Sequence, residues 1–157
     1  MLVENNKGGS MKALSKTANK VFQAVINSIP QGQTSHTLDA GNQKHGGSIM
    51  ALHVEKIGQN HFGEIFSFAH YYEQNGDLMR DPDITMLKAG VQLFPLSYRQ
   101  DNLGIDREYV RFNETSWSIA KRHQADLAVF CTHWARNIKN QQSEVLGATV
   151  AEEVAAV

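Results

Sequence analysis

The residues best suited to chemistry are concentrated in one segment, which runs from His70 to Asp83. Within it, eleven consecutive residues contain four carboxylates: Glu73, Asp77, Asp81 and Asp83. Carboxylate oxygens that lie close together can hold a hard cation such as Mg²⁺ or Ca²⁺. Asp77, Asp81 and Asp83 are therefore candidate metal ligands in what we expect to be a loop, although their spacing differs from that of a calcium-binding EF-hand.

The same segment offers one acid–base pair. A carboxylate on Glu73 or Asp77 could orient and charge the imidazole of His70, which makes His70 and Glu73 the candidate catalytic residues. The seven histidines include no pair four residues apart on a helix and no His-Glu-x-x-His motif, and no nucleophile elbow or phosphate-binding glycine loop is present. A lone histidine in a strand is more often structural than catalytic, so an enzyme is the alternative hypothesis, and no cofactor is expected.

Turn formation is the simpler interpretation of this segment. Asn75-Gly76 favours the positive φ angles of a hairpin turn, and Asp81-Pro82 favours entry into a turn. Asp77 and Asp81 would then accept hydrogen bonds from local backbone N–H groups, and Arg80 would pair with a neighbouring acid. If the segment instead contacts a partner, the candidate binding residues are Tyr72, Asn75, Asp77, Arg80 and Asp81.

An amphipathic helix is expected before these strands. Apolar residues recur every three or four positions over residues 11–29, and Pro30 with Gly32 ends the pattern. Residues 30–48 are predicted to form a loop, which is long for a connection inside a compact domain.

Short strands should follow over about sixty residues. Alternating or continuous apolar residues bounded by turn residues predict five strands, at 49–57, 64–72, 84–89, 91–98 and 108–112. Pro95 places the fourth at an edge or a bulge. The aromatic residues of the second strand, which include Phe66 and Phe68, are expected to form core because no Lys or Arg is interleaved with them.

A second amphipathic helix is predicted at residues 116–140, capped by Asn113, Thr115 or Ser116. Its apolar stripe includes Cys131, which should pack as a small hydrophobic residue. The expected fold is α+β, in which a small antiparallel sheet of about five strands is flanked by an N-terminal and a C-terminal amphipathic helix. We expect one domain at residues 11–141, a flexible leader at 1–10, and a tail or short helix at 142–157.

Composition and charge narrow the class of protein. The 157 residues carry a net charge of −1, with +3 over residues 1–60 and −4 over residues 61–110, which is unlike the basic surface of a dedicated nucleic-acid binder. A single cysteine excludes a disulfide framework and a cysteine-cluster metal site. No apolar run is long enough to cross a membrane, so we expect a cytoplasmic protein that binds neither membrane nor nucleic acid.

The segment around the Asn-Gly turn is similar to an uncharacterised bacterial and phage domain family. The resemblance spans residues 49–141 and rests on a core motif, Tyr-Tyr-x-Gln-Asn-Gly-Asp-x-Met-x-Asp-Pro, found here at residues 71–82. A later Pro-x-Ser-x-x-x-Asp-x-x-Gly tract begins at Pro95, and Trp134 and Asn137 lie in the closing helix. The resemblance implies an accessory protein of a mobile genetic element, with no catalytic residues to carry over.

The leading hypothesis is thus a small non-enzymatic binding protein with an unknown protein partner. The acidic middle segment and the more basic helical regions also favour self-association as a dimer through helix faces. Two alternatives remain: a metal-dependent enzyme or nucleic-acid-associated factor that uses residues 70–83, and an acidic anti-defence protein.

Overall fold

The computed structural model describes residues 9–39, residues 50–143 and Leu146. In chain order the elements are α1 (Lys16–Asn27), β1 (Ser35–Leu38), β2 (Leu52–Asn60), β3 (Gly63–Gln74), β4 (Asp77–Ala89), β5 (Gln92–Gln100), a short 3₁₀ helix (Asp101–Leu103), β6 (Ile105–Glu108), β7 (Val110–Phe112), β8 (Trp117–Ile119) and α2 (Lys121–Gln141). The expected leader and tail lie almost wholly outside the described residues.

Strands β1 to β6 form one antiparallel sheet in which each strand pairs with the next in the chain. Strands β7 and β8 form a separate two-stranded sheet. The α+β class and the antiparallel sheet are therefore confirmed, with six strands in the main sheet rather than about five. The expected final strand at 108–112 is in fact two strands that belong to different sheets, because the chain leaves the main sheet at Tyr109.

The register of the sheet separates two faces of different chemistry. One row of directly opposed residues runs Val54, Phe68, Ile84 and Tyr98 from β2 to β5. The adjacent row runs Glu55, Ser67, Thr85, Ser97 and Glu108 from β2 to β6. Since successive side chains in a strand point to opposite faces, the apolar row lies on the face that packs against the helices and the polar row on the other. We call these the helix face and the open face.

The main core lies between the helix face and the two helices. Phe22 of α1 packs against Phe68 of β3 and Trp134 of α2, with ring centroids 5.0 and 5.5 Å apart. Cys131 is fully buried in the same core, and burial raises the pKa of its thiol, as expected for a packing residue. The two amphipathic helices thus bury most of their apolar stripes as the sequence predicts, except that Phe130 of α2 is exposed.

A second, smaller core covers one end of the open face. There the β7–β8 hairpin packs Trp117 against Phe62, with ring centroids 5.2 Å apart, over Leu87 and Phe94. Trp117 is fully buried. Residues 117–119 are therefore held in β8, and α2 begins at Lys121 without a side-chain cap. The prediction that α2 begins at residue 116, capped by Asn113, Thr115 or Ser116, is wrong for this reason.

Helix α1 is shorter than its apolar periodicity suggests. It begins after Ser15, whose Oγ accepts a hydrogen bond from the Ala18 N–H at 3.2 Å. The residues before it are extended: Leu14 donates its N–H to the Leu93 carbonyl at 2.9 Å, and Met11 joins the second core. The predicted loop at 30–48 also contains a strand, β1, while residues 40–49 lie outside the described residues.

Pro95 lies at a bulge, as predicted. Met86 is paired with Pro95 and Thr85 with Ser97, so that Leu96 is the extra residue on β5. The Pro95 carbonyl accepts a hydrogen bond from the Gln124 side chain of α2 at 3.0 Å.

Gln124 links three parts of the fold through one buried side chain. Its Oε1 accepts the Lys12 N–H at 2.8 Å, and its Nε2 donates to the Lys12 carbonyl at 2.8 Å as well as to Pro95. Only 1% of Gln124 is exposed. These bonds fasten the N-terminal segment and the β5 bulge to the first turn of α2.

We expect Gln124→Leu to destabilise the protein by about 2–3 kcal/mol, because backbone groups of Lys12 and Pro95 would lose their partner in a buried site. Urea unfolding should show a lower midpoint with an unchanged slope. Gln92→Leu, at an exposed position of β5, serves as the matched control and should change stability by no more than about 0.5 kcal/mol. Equal stability of the two variants would contradict the proposed linking role of Gln124.

Candidate functional site

The segment from His70 to Asp83 forms the end of one hairpin rather than a loop. Strand β3 continues to Gln74 and β4 begins at Asp77, with Asn75 (φ 53°) and Gly76 (φ 85°) as the two turn residues. The Asn-Gly hairpin turn is therefore confirmed, whereas the expected loop is wrong. The two strands pair right up to the turn because the turn has the positive φ angles that match strand twist.

Asp81-Pro82 lies within β4 and does not form a turn. The register shifts there: Ala69 is paired with Asp83 and Tyr71 with Arg80, so β4 has one residue more than β3 between these pairs. This extra residue is a β-bulge, which re-aims the side chains on either side of it.

The hairpin divides its side chains between the two faces of the sheet. Leu52 is paired with His70 on the helix face, and Tyr71 lies on the open face. Glu73 and Asp77 are exposed beside the turn. The structure thus places His70 on the core side of the sheet, and no hydrogen bond or ion pair within the described residues joins it to Glu73 or Asp77.

Tyr72 and Asn75, the two other candidate binding residues, do not lie together. Tyr72 is half-buried opposite Met79, whereas Asn75 is exposed in the turn. The candidate binding residues therefore occupy different surfaces of the hairpin, and the open face contains only some of them.

His70 is a buried, neutral histidine. It is 5% exposed, its Nδ1 accepts the Trp134 Nε1–H at 3.4 Å, and its Nε2 has no partner among the described residues. Burial lowers its pKa to about 4, since a charged imidazole would be poorly solvated in the core. A histidine in this setting contributes to packing more readily than to proton transfer at neutral pH.

Polar side chains form a connected network on the open face. Ser67 donates its hydroxyl to Asp83 Oδ1 at 2.7 Å, and Arg80 Nε lies 3.5 Å from Asp83 Oδ2. The predicted pairing of Arg80 with a neighbouring acid is therefore confirmed. Asp101 accepts the backbone N–H of Arg80 at 2.9 Å and bonds Arg99 Nε at 2.8 Å.

Asp101 is the carboxylate most strongly engaged by its neighbours. The hydrogen bond from the Arg80 backbone, and then that from Arg99, lower the pKa of Asp101 because both favour the charged carboxylate. The sequence predicts that Asp77 and Asp81 accept hydrogen bonds from backbone N–H groups. In the structure it is Asp101, in the 3₁₀ helix, that accepts the backbone N–H of Arg80. Asp83 likewise accepts a hydrogen bond from Ser67 and forms an ion pair with Arg80.

The candidate metal ligands are not gathered around a common point. Asp77 is exposed beside the turn, Asp83 points into the open-face network, and Asp81 lies between them in the bulge. Within residues 9–39 and 50–143, no group of three or more His, Cys, Asp or Glu side chains could hold a metal ion.

A cavity of about 470 Å³ opens beside this network, between the open face and the β7–β8 hairpin. We call it the hydroxyl cavity, since the hydrogen-bonded Thr85 and Ser97 hydroxyls lie in its wall. It is lined by Ile65, Thr85, Leu96, Ser97, Glu108, Val110, Arg111 and Phe112. Sequence reasoning missed it, because the hydroxyl residues stand on separate strands and are brought together only by the register.

The buried state of His70 makes stability depend on pH. In the folded protein His70 stays neutral down to about pH 4, whereas in the unfolded chain it takes up a proton near its ordinary pKa of 6.5. Between these values the unfolded state binds more protons, so the free energy of unfolding should fall by about 3 kcal/mol as the pH falls from 6.5 to 4.

His70→Gln should remove this part of the pH dependence while leaving an acceptor for the Trp134 N–H. Urea unfolding of both proteins between pH 7 and pH 4 measures the difference in slope. His61→Gln, at an exposed position, is the control and should keep the slope of the unmodified protein. Parallel curves for the unmodified protein and His70→Gln would refute the assignment.

Comparison with known proteins gives a family and nothing more specific. No curated protein and no solved structure matches the chain. No helix in the described part of the chain is both long and apolar enough to span a membrane. One family model, described as Domain of unknown function (DUF6908), matches residues 20–143, which is most of the chain and includes both the hairpin and the hydroxyl cavity. The expectation of an uncharacterised family is confirmed, and the chain belongs to the family of this domain of unknown function, DUF6908.

Proposed function

We propose that the protein is a non-enzymatic binding protein and that a protein partner binds its open face, with an apolar side chain in the hydroxyl cavity. The observation that carries this proposal is the cavity itself. It is open to solvent, and it is bounded by the main sheet and the β7–β8 hairpin. Concave sites of this size with a few placed polar groups are typical of ligand and side-chain recognition.

The lining suits a side chain with an apolar body. Ile65, Leu96 and Phe112 supply apolar contact area, and Phe112 is held in place by stacking on Phe62 at 5.6 Å. At the rim, Arg111 Nε bonds Glu108 Oε1 at 2.8 Å, so the charges there balance. A neutral rim disfavours a strongly charged ligand and is compatible with a peptide backbone.

Binding is favoured over catalysis by what the polar groups already do. Ser67, Asp83 and Asp101 are engaged in hydrogen bonds that hold the sheet and the 3₁₀ helix. The two described groups with the largest pKa shifts, His70 and Cys131, lie on the helix side of the sheet. Active sites usually place such groups in the cleft where they act.

The wider setting of this proposal comes from the sequence. The resemblance to a bacterial and phage family supports an accessory role for a mobile genetic element. We propose further that the protein acts in the cytoplasm and forms a single domain over residues 11–141. The contrast between the acidic middle segment and the basic helical regions supports a dimer formed through helix faces. Size-exclusion chromatography with light scattering tests the dimer, and a strict monomer at high micromolar concentration would contradict it.

Selection from a phage-displayed library of linear peptides tests the binding face. Ser97→Leu places an apolar side chain in the hydroxyl cavity, so peptides enriched on the unmodified protein should bind this variant at least about tenfold more weakly, the equivalent of one lost buried side-chain contact. Thr17→Leu adds similar bulk at an exposed position of α1 and should bind them unchanged. Thermal unfolding confirms that both variants are folded.

Two outcomes would overturn the proposal. One is that no peptide is enriched over repeated rounds. The other is that enriched peptides bind Ser97→Leu as well as the unmodified protein.

A further inference from the structure

A second cavity, of about 210 Å³, lies on the other side of the sheet from the hydroxyl cavity. It is formed where β5 and the chain after β6 meet α2. Its lining consists of Tyr98, Tyr109, His123, Asp126, Leu127 and Phe130. Four of these six side chains are aromatic and one is a carboxylate, so we call it the aromatic cavity.

The rings of the lining form two contacting pairs. Tyr98 and Phe130 stand nearly perpendicular, at 87° with centroids 5.6 Å apart. Tyr109 and His123 stack at 19° with centroids 5.7 Å apart. The arrangement is built into the fold: Tyr98 belongs to the helix-face row of β5, while His123 and Phe130 are seven residues apart on α2 and project from one side of it.

Two carboxylates act on these rings. Asp126 lies in the lining, is exposed, and has no ion pair or hydrogen bond to the rest of the described chain. The pKa of Tyr98 is raised, first by burial, then by the negative charge of Asp81, and then by Tyr109. Asp81 therefore adds a second negative charge that acts on the same ring.

We propose that the aromatic cavity binds an organic cation that carries a methylated ammonium group. Ring faces carry partial negative charge and attract cations, most strongly those that are weakly hydrated, and a nearby carboxylate adds to the attraction. A single lining carboxylate is too few for a hard metal ion, which requires several oxygen ligands. A cavity of about 210 Å³ accommodates a trimethylammonium head group with part of its chain.

The lining of the aromatic cavity contains no Lys or Arg, and the nearest cation along the sheet is Arg107. Arg107 is paired with Tyr98 in the sheet, is exposed, and bonds only the Asp106 carbonyl, at 3.5 Å, among the described residues. The proposal concerns a site separate from the open face, so it goes beyond the proposed function and does not depend on it.

Choline and its neutral isostere 3,3-dimethylbutan-1-ol test the cation requirement, because they share shape and differ in charge. Titrations followed by ¹H–¹⁵N and aromatic ¹H–¹³C NMR should show saturable shifts at Tyr98, Tyr109 and α2 with choline. The affinity expected from a few cation–π contacts is about millimolar, and the isostere should bind at least about fivefold more weakly.

Three variants localise the site. Asp126→Asn and Phe130→Leu should each weaken choline binding about two- to fivefold, by loss of an exposed charge interaction and of one ring respectively. Val129→Ala is the matched control, since Val129 is exposed on α2 between the two but outside this cavity, and it should bind choline unchanged. Thermal unfolding of each variant separates loss of binding from loss of fold.

A pair of peptides distinguishes the source of the ammonium group. If the natural ligand is a modified protein, a peptide with one trimethyllysine should bind more tightly than choline and more tightly than the same peptide with lysine. If it is a small molecule, choline should bind at least as tightly as the trimethyllysine peptide. Equal binding of choline and its isostere, no saturable shifts with choline, or unchanged binding in both Asp126→Asn and Phe130→Leu would each overturn the proposal.

Discussion

The register between β3 and β4 is the constraint on which the two faces of the sheet depend. A two-residue turn at Asn75 and Gly76 sets that register, and Glu73, Gln74, Asp77 and Leu78 pair directly beside it. A slip of one residue would exchange the faces, which would bring Phe66 and Phe68 to the open side and Ser67 into the apolar core. The turn therefore influences the register of the neighbouring strands as well, because β2 pairs with β3 and β5 pairs with β4.

The bulge at Asp81-Pro82 shifts the pairing of β3 with β4 by one residue between the turn and the rest of the sheet. With one extra residue on β4, Asp83 stands opposite Ala69 on the open face, where it accepts the Ser67 hydroxyl. The acidic residues that dominate this part of the sequence are thereby distributed: Asp77 beside the turn, Asp81 near Tyr98, and Asp83 in the open-face network. These carboxylates are close together in the sequence but not in the structure. The reason is that each residue of an extended strand adds about 3.3 Å to the distance between them.

Much of the fold follows from patterns that the sequence displays. Both helices, the strand-rich middle, the Asn-Gly turn and the irregularity at Pro95 are local signals, and each is confirmed. The errors have a common origin in contacts between distant residues. Trp117 falls within the helix predicted at 116–140, but its burial against Phe62 holds it in β8. Leu14 fits the periodicity of α1, but its N–H bonds Leu93 instead.

The two cavities could not be read from the sequence for the same reason. Thr85 and Ser97 belong to no motif in the sequence, and only the pairing of β4 with β5 places them opposite each other. Tyr98 and Phe130 are thirty-two residues apart and meet only when α2 packs on the helix face. Sequence patterns reveal sites whose residues are close along the chain. The segment from His70 to Asp83 is such a pattern, and in the structure it mainly forms the turn and the bulge of the β3–β4 hairpin.

Gln124 shows why even a strong structural contact can leave no trace in a local pattern. It bonds the backbone N–H and carbonyl of Lys12, so any residue except proline could stand at position 12 without loss of the contact. The family model begins at residue 20 and so contains Gln124 but not its partner segment. Its hydrogen bond to Pro95 is different, since Pro95 lies at the β5 bulge beside Leu96 and Ser97, which line the hydroxyl cavity. The bulge of β5 therefore contacts α2, which contributes four of the six residues that line the aromatic cavity, and it also lies in the wall of the hydroxyl cavity on the opposite face.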